Sequence, residues 1–344
     1  MKLIFNNVFI ISILISNLSF GQQKIGSPED NLPVNIKRIT YFGERADWSH
    51  DGKKILFVEK TYGDVYEVEI ESRKIALITG HFYHGGFTRA LYLSNGDVIL
   101  SGSRSFDAEN PHINRDVKAE LFVLDKSYTK KPVSLGTMCS EGPAVSRTNM
   151  KIAWAVNSRQ YPDKLEKGQY LIYSADLEYE NGIPVLTNKK ILIDNQSTDY
   201  LRSIEAQNFV PPLEDKLTFS GYGFQGTEVM LYDIKNDKIS NLSNADMQYD
   251  EPEGIFPDGL YTLVECDRQN LKGSNYVDIW KLKLDGSGEM ERLTYFSDYK
   301  GYKASNAVIS DDGKQMAFQM SRSTDLAGVG YGIFIMDLTK LPRK

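Results

Sequence analysis

One local pattern recurs along the chain: a short apolar run, a polar turn, and a second apolar run. Residues 46–54 read ADWSHDGKK and lead into ILFVEK, and residues 307–315 read AVISDDGKQ and lead into MAFQMS. Residues 253–261 (EGIFPDGLY, then TLVECD) and 90–98 (ALYLSNGDV, then ILSGS) repeat the arrangement. Weaker copies stand at 143–151 (PAVSRTNMK) and 208–216 (NFVPPLEDK). An Asp-Gly or Asn-Gly turn between apolar runs predicts a β-hairpin, because the left-handed backbone those residues accept matches the twist of the flanking strands. A third strand is expected after each hairpin, at 64–70, 120–125, 170–176, 228–234, 278–284 and 332–338. A fourth, edge-like segment follows most of them, as at 75–79, 238–242 and 291–294.

The turns, at 52, 96, 149, 215, 259 and 313, recur about every 52 residues, a period suited to a four-stranded propeller blade. Six copies predict an all-β fold, a six-bladed β-propeller of four-stranded antiparallel blades. The last copy lacks a fourth strand before the chain ends. Near the other end Arg38-Ile39-Thr40-Tyr41-Phe42 matches Arg292-Leu293-Thr294-Tyr295-Phe296, which is a fourth strand and its exit. Residues 37–40 are therefore expected to complete the last blade and close the ring, leaving no open edge.

The segment before the first blade reads differently. Lys2, the apolar run 8–15 (VFIISILI) and the small residues Ser19 and Gly21 have the order of a signal peptide cleaved before Gln22. The apolar run is shorter than the roughly 20 residues that span a bilayer. The expected organisation is a signal peptide at 1–21, a linker at 22–35 and a single propeller domain at 36–344. Location is then periplasmic or secreted, without stable membrane insertion, and the expected state is a monomer.

Composition narrows the partners. Net charge is −6, which disfavours nucleic acid. The two cysteines, Cys139 and Cys266, fit no zinc motif and read as small buried side chains, with a disulfide left open. No nucleophile elbow, zinc-protease helix or phosphate-binding loop is present.

The hairpin signature, DWSHDGKKILF and ISDDGKQMAFQ, resembles the TolB-type, WD40-like propeller repeat, whose usual turn is W-S-P-D-G-K. The likeness covers residues 36–340, with His50 in place of the usual proline and Glu214-Asp215 in place of Asp-Gly in the fourth copy. It implies the propeller fold. Such repeats serve binding proteins, peptidase propellers and oligogalacturonate lyases, so the fold alone names no activity.

In a propeller, the starts of the first strands and the second-to-third-strand loops share one face and the mouth of the central channel. Four of those loops are long and polar, at 103–118, 157–168, 267–276 and 321–331. Such loops on a rigid scaffold commonly carry binding. The strand starts place Glu44, Arg45, His84, Glu141, Arg202, Glu205, Glu251, Glu253, Lys303 and Asn306 at the mouth. Arg89 and Arg268 are the further cations an acidic sugar would need. The mouth reads as a polar funnel or as a solvated channel whose charges pair with one another. The expected function is a non-catalytic binding module for a protein or glycan partner, and the alternative is a carbohydrate-active lyase or hydrolase using channel carboxylates or histidines, with or without a metal. Glu251 and Glu253, two apart on a strand, face the same way and suit acid–base chemistry on a glycan. Tyr83, Phe87, Tyr161, Tyr222 and Phe224 read as sugar-stacking rings or as core.

No cofactor is expected from the residues themselves. The likeness to oligogalacturonate lyases implies a divalent metal held mainly by histidines, for which His81, His84 and His112 are the candidates, although all three fall in one blade. His50 is expected to be exposed in its turn, on the opposite face.

Overall fold

A computed structural model of the chain describes residues 23–325 and 328–341; the expected leader at 1–21 lies outside the described residues. Six four-stranded antiparallel sheets are arranged as the blades of a propeller. Blade one comprises Glu44–Trp48, Lys54–Val58, Val65–Glu69 and Ile75–Leu77, and the pattern repeats through blade five, which ends at Met290–Arg292. Blade six has Tyr302–Ile309, Gln315–Arg322 and Ile333–Asp337, and its outer strand is Ile36–Arg38.

The closing strand pairs Ile36 with Met336 and Arg38 with Phe334, antiparallel. It lies one to two residues earlier than the sequence predicts. Ile39 and Thr40 continue the contact from outside the strand, since Ile39 N–H donates to the Ile333 carbonyl and Thr40 Oγ1 accepts the Ile333 N–H at 2.9 Å. The sequence match between the two exits extends to their side-chain contacts. Arg38 Nε and Arg292 Nε each donate to the carbonyl of the threonine two residues on, both at 3.0 Å. Each guanidinium also lies over the tyrosine that follows, Tyr41 at 4.4 Å and Tyr295 at 4.5 Å.

The core sits between blades. The second strands are almost wholly buried, as at Ile55, Leu56, Phe57 and Val58, because each is covered on both faces by neighbouring blades. Trp48 and Trp154 are fully buried at the first and second strands of their blades. Blade three departs from the others, with a long hairpin of Tyr170–Glu180 and Ile183–Asp194. The expected loop 103–118 contains a short helix, Pro111–Asp116. Cys139 and Cys266 are both buried and unbonded. No helix among the described residues is long and apolar enough to cross a membrane.

Candidate functional site

The inner strands do not run straight. In every blade the pairing of first and second strands slips, for instance between Glu44 and Asp47, Ser140 and Pro143, and Ser305 and Val308. An extra residue in one strand bends it and re-aims its side chains. At three of these slips a non-glycine residue takes the left-handed conformation: Arg45 (φ 55°), Glu141 (φ 67°) and Asn306 (φ 50°). Each costs roughly 1–2 kcal/mol, which the surrounding ring must offset. All three side chains line the channel.

The mouth of the channel encloses a cavity of about 390 Å³, within the range of small-ligand sites. Glu44, Arg45, Arg89, Glu141, Glu205, Glu251, Glu253, Lys303 and Asn306 line it, contributed by all six blades. Three of the four long loops reach it. Arg115 comes from the short helix of blade two, Ser274 and Asn275 from blade five, and Asp325, Gly328 and Val329 from blade six. The loop at 157–168 supplies no lining residue.

Acids converge most closely in blade five. One oxygen each of Glu251, Glu253 and Glu265 lies within 4.8 Å of the others, and among the described residues no other His, Cys, Asp or Glu group of three is so close. Hydrogen bonds hold two of the three. Tyr222 donates to Glu251 at 3.0 Å, Tyr249 donates to it as well, and Glu265 accepts the backbone N–H and side-chain amide of Asn306 at 2.7 and 2.8 Å. Burial, then the neighbouring Glu265, pushes the Glu253 carboxyl well above its ordinary range, with Arg89 opposing. Burial and the charges of Glu141 and Glu251 do the same to Glu205. Glu251 is raised by burial and Glu265 against the pull of its two tyrosines. Such carboxyls keep protons at a pH where surface glutamates have lost them, so each can both donate and accept a hydrogen bond. The bases are partly committed: Arg115 Nε meets Glu141 at 2.8 Å, and Arg45 lies 3.9 Å from both Glu44 and Glu141.

A second cavity, of about 260 Å³, opens at the hairpin-turn end of the same channel. The two share Arg89, Glu141, Glu205 and Glu253, which form a waist. Its walls are largely apolar: Leu91, Val145, Phe209, Ile255 and Val308, with Pro143, Pro211 and Pro257. Arg147 and the groups around it form a closed set. Arg147 Nε donates to Asp311 at 2.8 Å, Nη2 to the Trp48 carbonyl at 2.7 Å, and Nη1 to Asp47 at 3.3 Å. His50, expected to be exposed, is instead about 70% buried and bridges blades: Nδ1 is 2.7 Å from Asp311 and Nε2 2.9 Å from the Leu93 carbonyl. Both partners are acceptors, so the ring satisfies both only as imidazolium, and the Asp311 hydrogen bond raises its pKa.

Three predicted mouth residues lie outside both cavities. Arg202 is exposed, and Arg268 donates instead to Gln248. His84 turns toward Asp64 at 3.0 Å while its other ring nitrogen accepts the Gly86 N–H. His81 is exposed against the Lys130 carbonyl, and His112 is exposed on the short helix. The three histidines share no ligand position and do not fit the metal site the resemblance implies. Of the five aromatic candidates only Tyr222 lines the mouth. Phe87 is core and Tyr83 projects outward. Residues not singled out from sequence complete the site: Arg115, Tyr249, Glu265, Gln319 and Arg322.

No protein-family model matches the chain, and no curated protein sequence does. Solved structures do. A gluconolactonase of Xanthomonas campestris is 9% identical with a TM-score of 0.55, covering 88% of this chain and 89% of its own. An oligogalacturonate lyase in complex with manganese is 13% identical with a TM-score of 0.52, covering 88% and 78%. TolB of Acinetobacter baumannii is 15% identical with a TM-score of 0.47, covering 86% and 65%. At these identities the likeness is one of fold. The chain is a six-bladed β-propeller with TolB-type propellers among its structural neighbours.

Proposed function

We propose that the channel mouth is a carbohydrate-binding site of a protein that acts outside the cytoplasm. One observation carries the reading: hydrogen-bonding side chains from every blade converge on one cavity the size of a small glycan. A sugar presents hydroxyls that donate and accept, and Glu205, Glu251 and Glu253, raised toward the protonated form, can answer in both senses. Arg115 and Lys303 add further donors, Tyr222 and Tyr249 offer hydroxyl oxygens as acceptors, and the loops of blades two, five and six supply the rim. The leader-like residues 1–21 support export.

Calorimetric titration with neutral, amino and uronic oligosaccharides tests this. Binding of at least one class, weakened tenfold or more by Glu251→Gln, is the expected result. No heat from any class at millimolar sugar, with the protein folded, would overturn it.

Acid–base cleavage of the bound glycan is a second reading, favoured by the elevated carboxyls. A general acid must hold its proton at the working pH, and burial and like charge raise Glu205 and Glu253 in that direction. Chromatography of oligosaccharides after prolonged incubation decides it, through the appearance of shorter products or their absence.

A further inference from the structure

We propose that the turn-face cavity is a second ligand site, for a small apolar carboxylic acid whose carboxylate is received by Arg89. Five apolar side chains, Leu91, Val145, Phe209, Ile255 and Val308, wall a cavity of about 260 Å³, enough for an aromatic ring or branched alkyl group. Four of the five are only partly buried, so part of their apolar surface faces the cavity.

The head group follows from which charges are free. Arg147, one of two guanidiniums lining this cavity, is spent on Asp47, Asp311 and the Trp48 carbonyl. The guanidinium of Arg89, the other, makes no hydrogen bond or ion pair among the described residues, its charge acting on the nearby Glu253 without direct contact, and Glu141 beside it is taken by Arg115 at 2.8 Å. A guanidinium carries five N–H donors in a planar fork that fits a carboxylate through two parallel bonds. The stem of Arg89 lies across Gly142, where a Cβ would stand 2.9 Å from its Cβ and Cγ, so that glycine makes room for the arginine at the waist. Arg89 lines both cavities, and an acid seated from the turn face places its carboxylate at the waist and its apolar body against the walls.

The test uses phenylacetate, with benzylamine and benzyl alcohol as matched probes lacking the carboxylate, followed by NMR shifts and calorimetry on the whole protein. Phenylacetate is expected to bind at least tenfold tighter than either. Arg89→Gln should remove that preference. Val308→Glu, which alters only the turn-face wall, should abolish binding while leaving oligosaccharide titrations at the mouth unchanged. Equal or tighter binding of benzylamine would overturn the proposal, as would phenylacetate affinity unaffected by either substitution in folded variants. Because Val308→Glu leaves the mouth intact, failure of this site and failure of the carbohydrate reading are separate results.

Discussion

The two ends of the channel are made by the same six inner strands, yet they are chemically opposed. Toward the mouth these strands present Glu44, Arg45, Arg89, Glu141, Glu205, Glu251, Glu253 and Lys303. A few residues further, toward the turns, five of the six present Leu91, Val145, Phe209, Ile255 and Val308. Charge is not absent from the turn end, but there Asp47, Arg147, Asp311 and His50 satisfy one another. At the mouth, burial and the crowding of carboxyls raise Glu205 and Glu253 toward the protonated form. The comparison teaches that counting charges along a channel says little; what separates a structural network from a site is whether its charges have partners.

The widest gap should appear on removing one arginine from each end. Arg147→Ala strands the buried Asp47 and is expected to cost about 3 kcal/mol in urea unfolding. Arg115→Ala leaves groups that cavity water can solvate and should cost about 1 kcal/mol or less, while weakening sugar binding. The reverse order would break the division into structural and functional ends.

Dependence on pH sharpens it. The Glu205 pKa is raised in the fold, so the folded protein holds a proton the unfolded chain has released, and stability falls as pH rises through the folded value. Glu205→Gln should therefore be more stable than the parent at pH 8, by roughly 1 kcal/mol, in paired thermal melts. At the turn end the raised His50 pKa gives a contribution fully present below its unfolded value of about 6.5 and lost as pH rises through the folded one. His50→Gln should lower the melting temperature at pH 5.5 and converge on the parent at alkaline pH. The smallest effect belongs to Arg202→Ala: the side chain is exposed and off the lining, so stability should stay within about 0.5 kcal/mol and sugar affinity should be unchanged.

How far the sequence discloses this varies by element. Asp-Gly turns at a steady period disclose the blades because a hairpin is a local object, and the matched exits after Arg38 and Arg292 disclose the ring closure. The inner-strand acids are legible because they follow from blade position. Glu265 is not, though a polar residue inside TLVEC is the available signal: it pairs directly with Glu251 across the strands, as Gln319 in MAFQMS pairs with Ser305. Reading that signal requires the register, and every inner strand carries a slip that a one-dimensional pattern does not show. Arg115 rides a six-residue helix in a polar loop, too short to leave a periodicity. His81, His84 and His112 illustrate the converse, since closeness in sequence did not bring them to one point.

The pairing of Ile36 with Met336 joins segments 300 residues apart, near the two ends of the chain. Loop-closure entropy makes such a contact slow to find, and synthesis delivers the first partner long before the second. The last blade is thus the one element that needs both ends of the described chain. The mouth cavity draws side chains from all six blades, that one included. The site is therefore a property of the whole ring, and no subset of blades carries its full set of side chains.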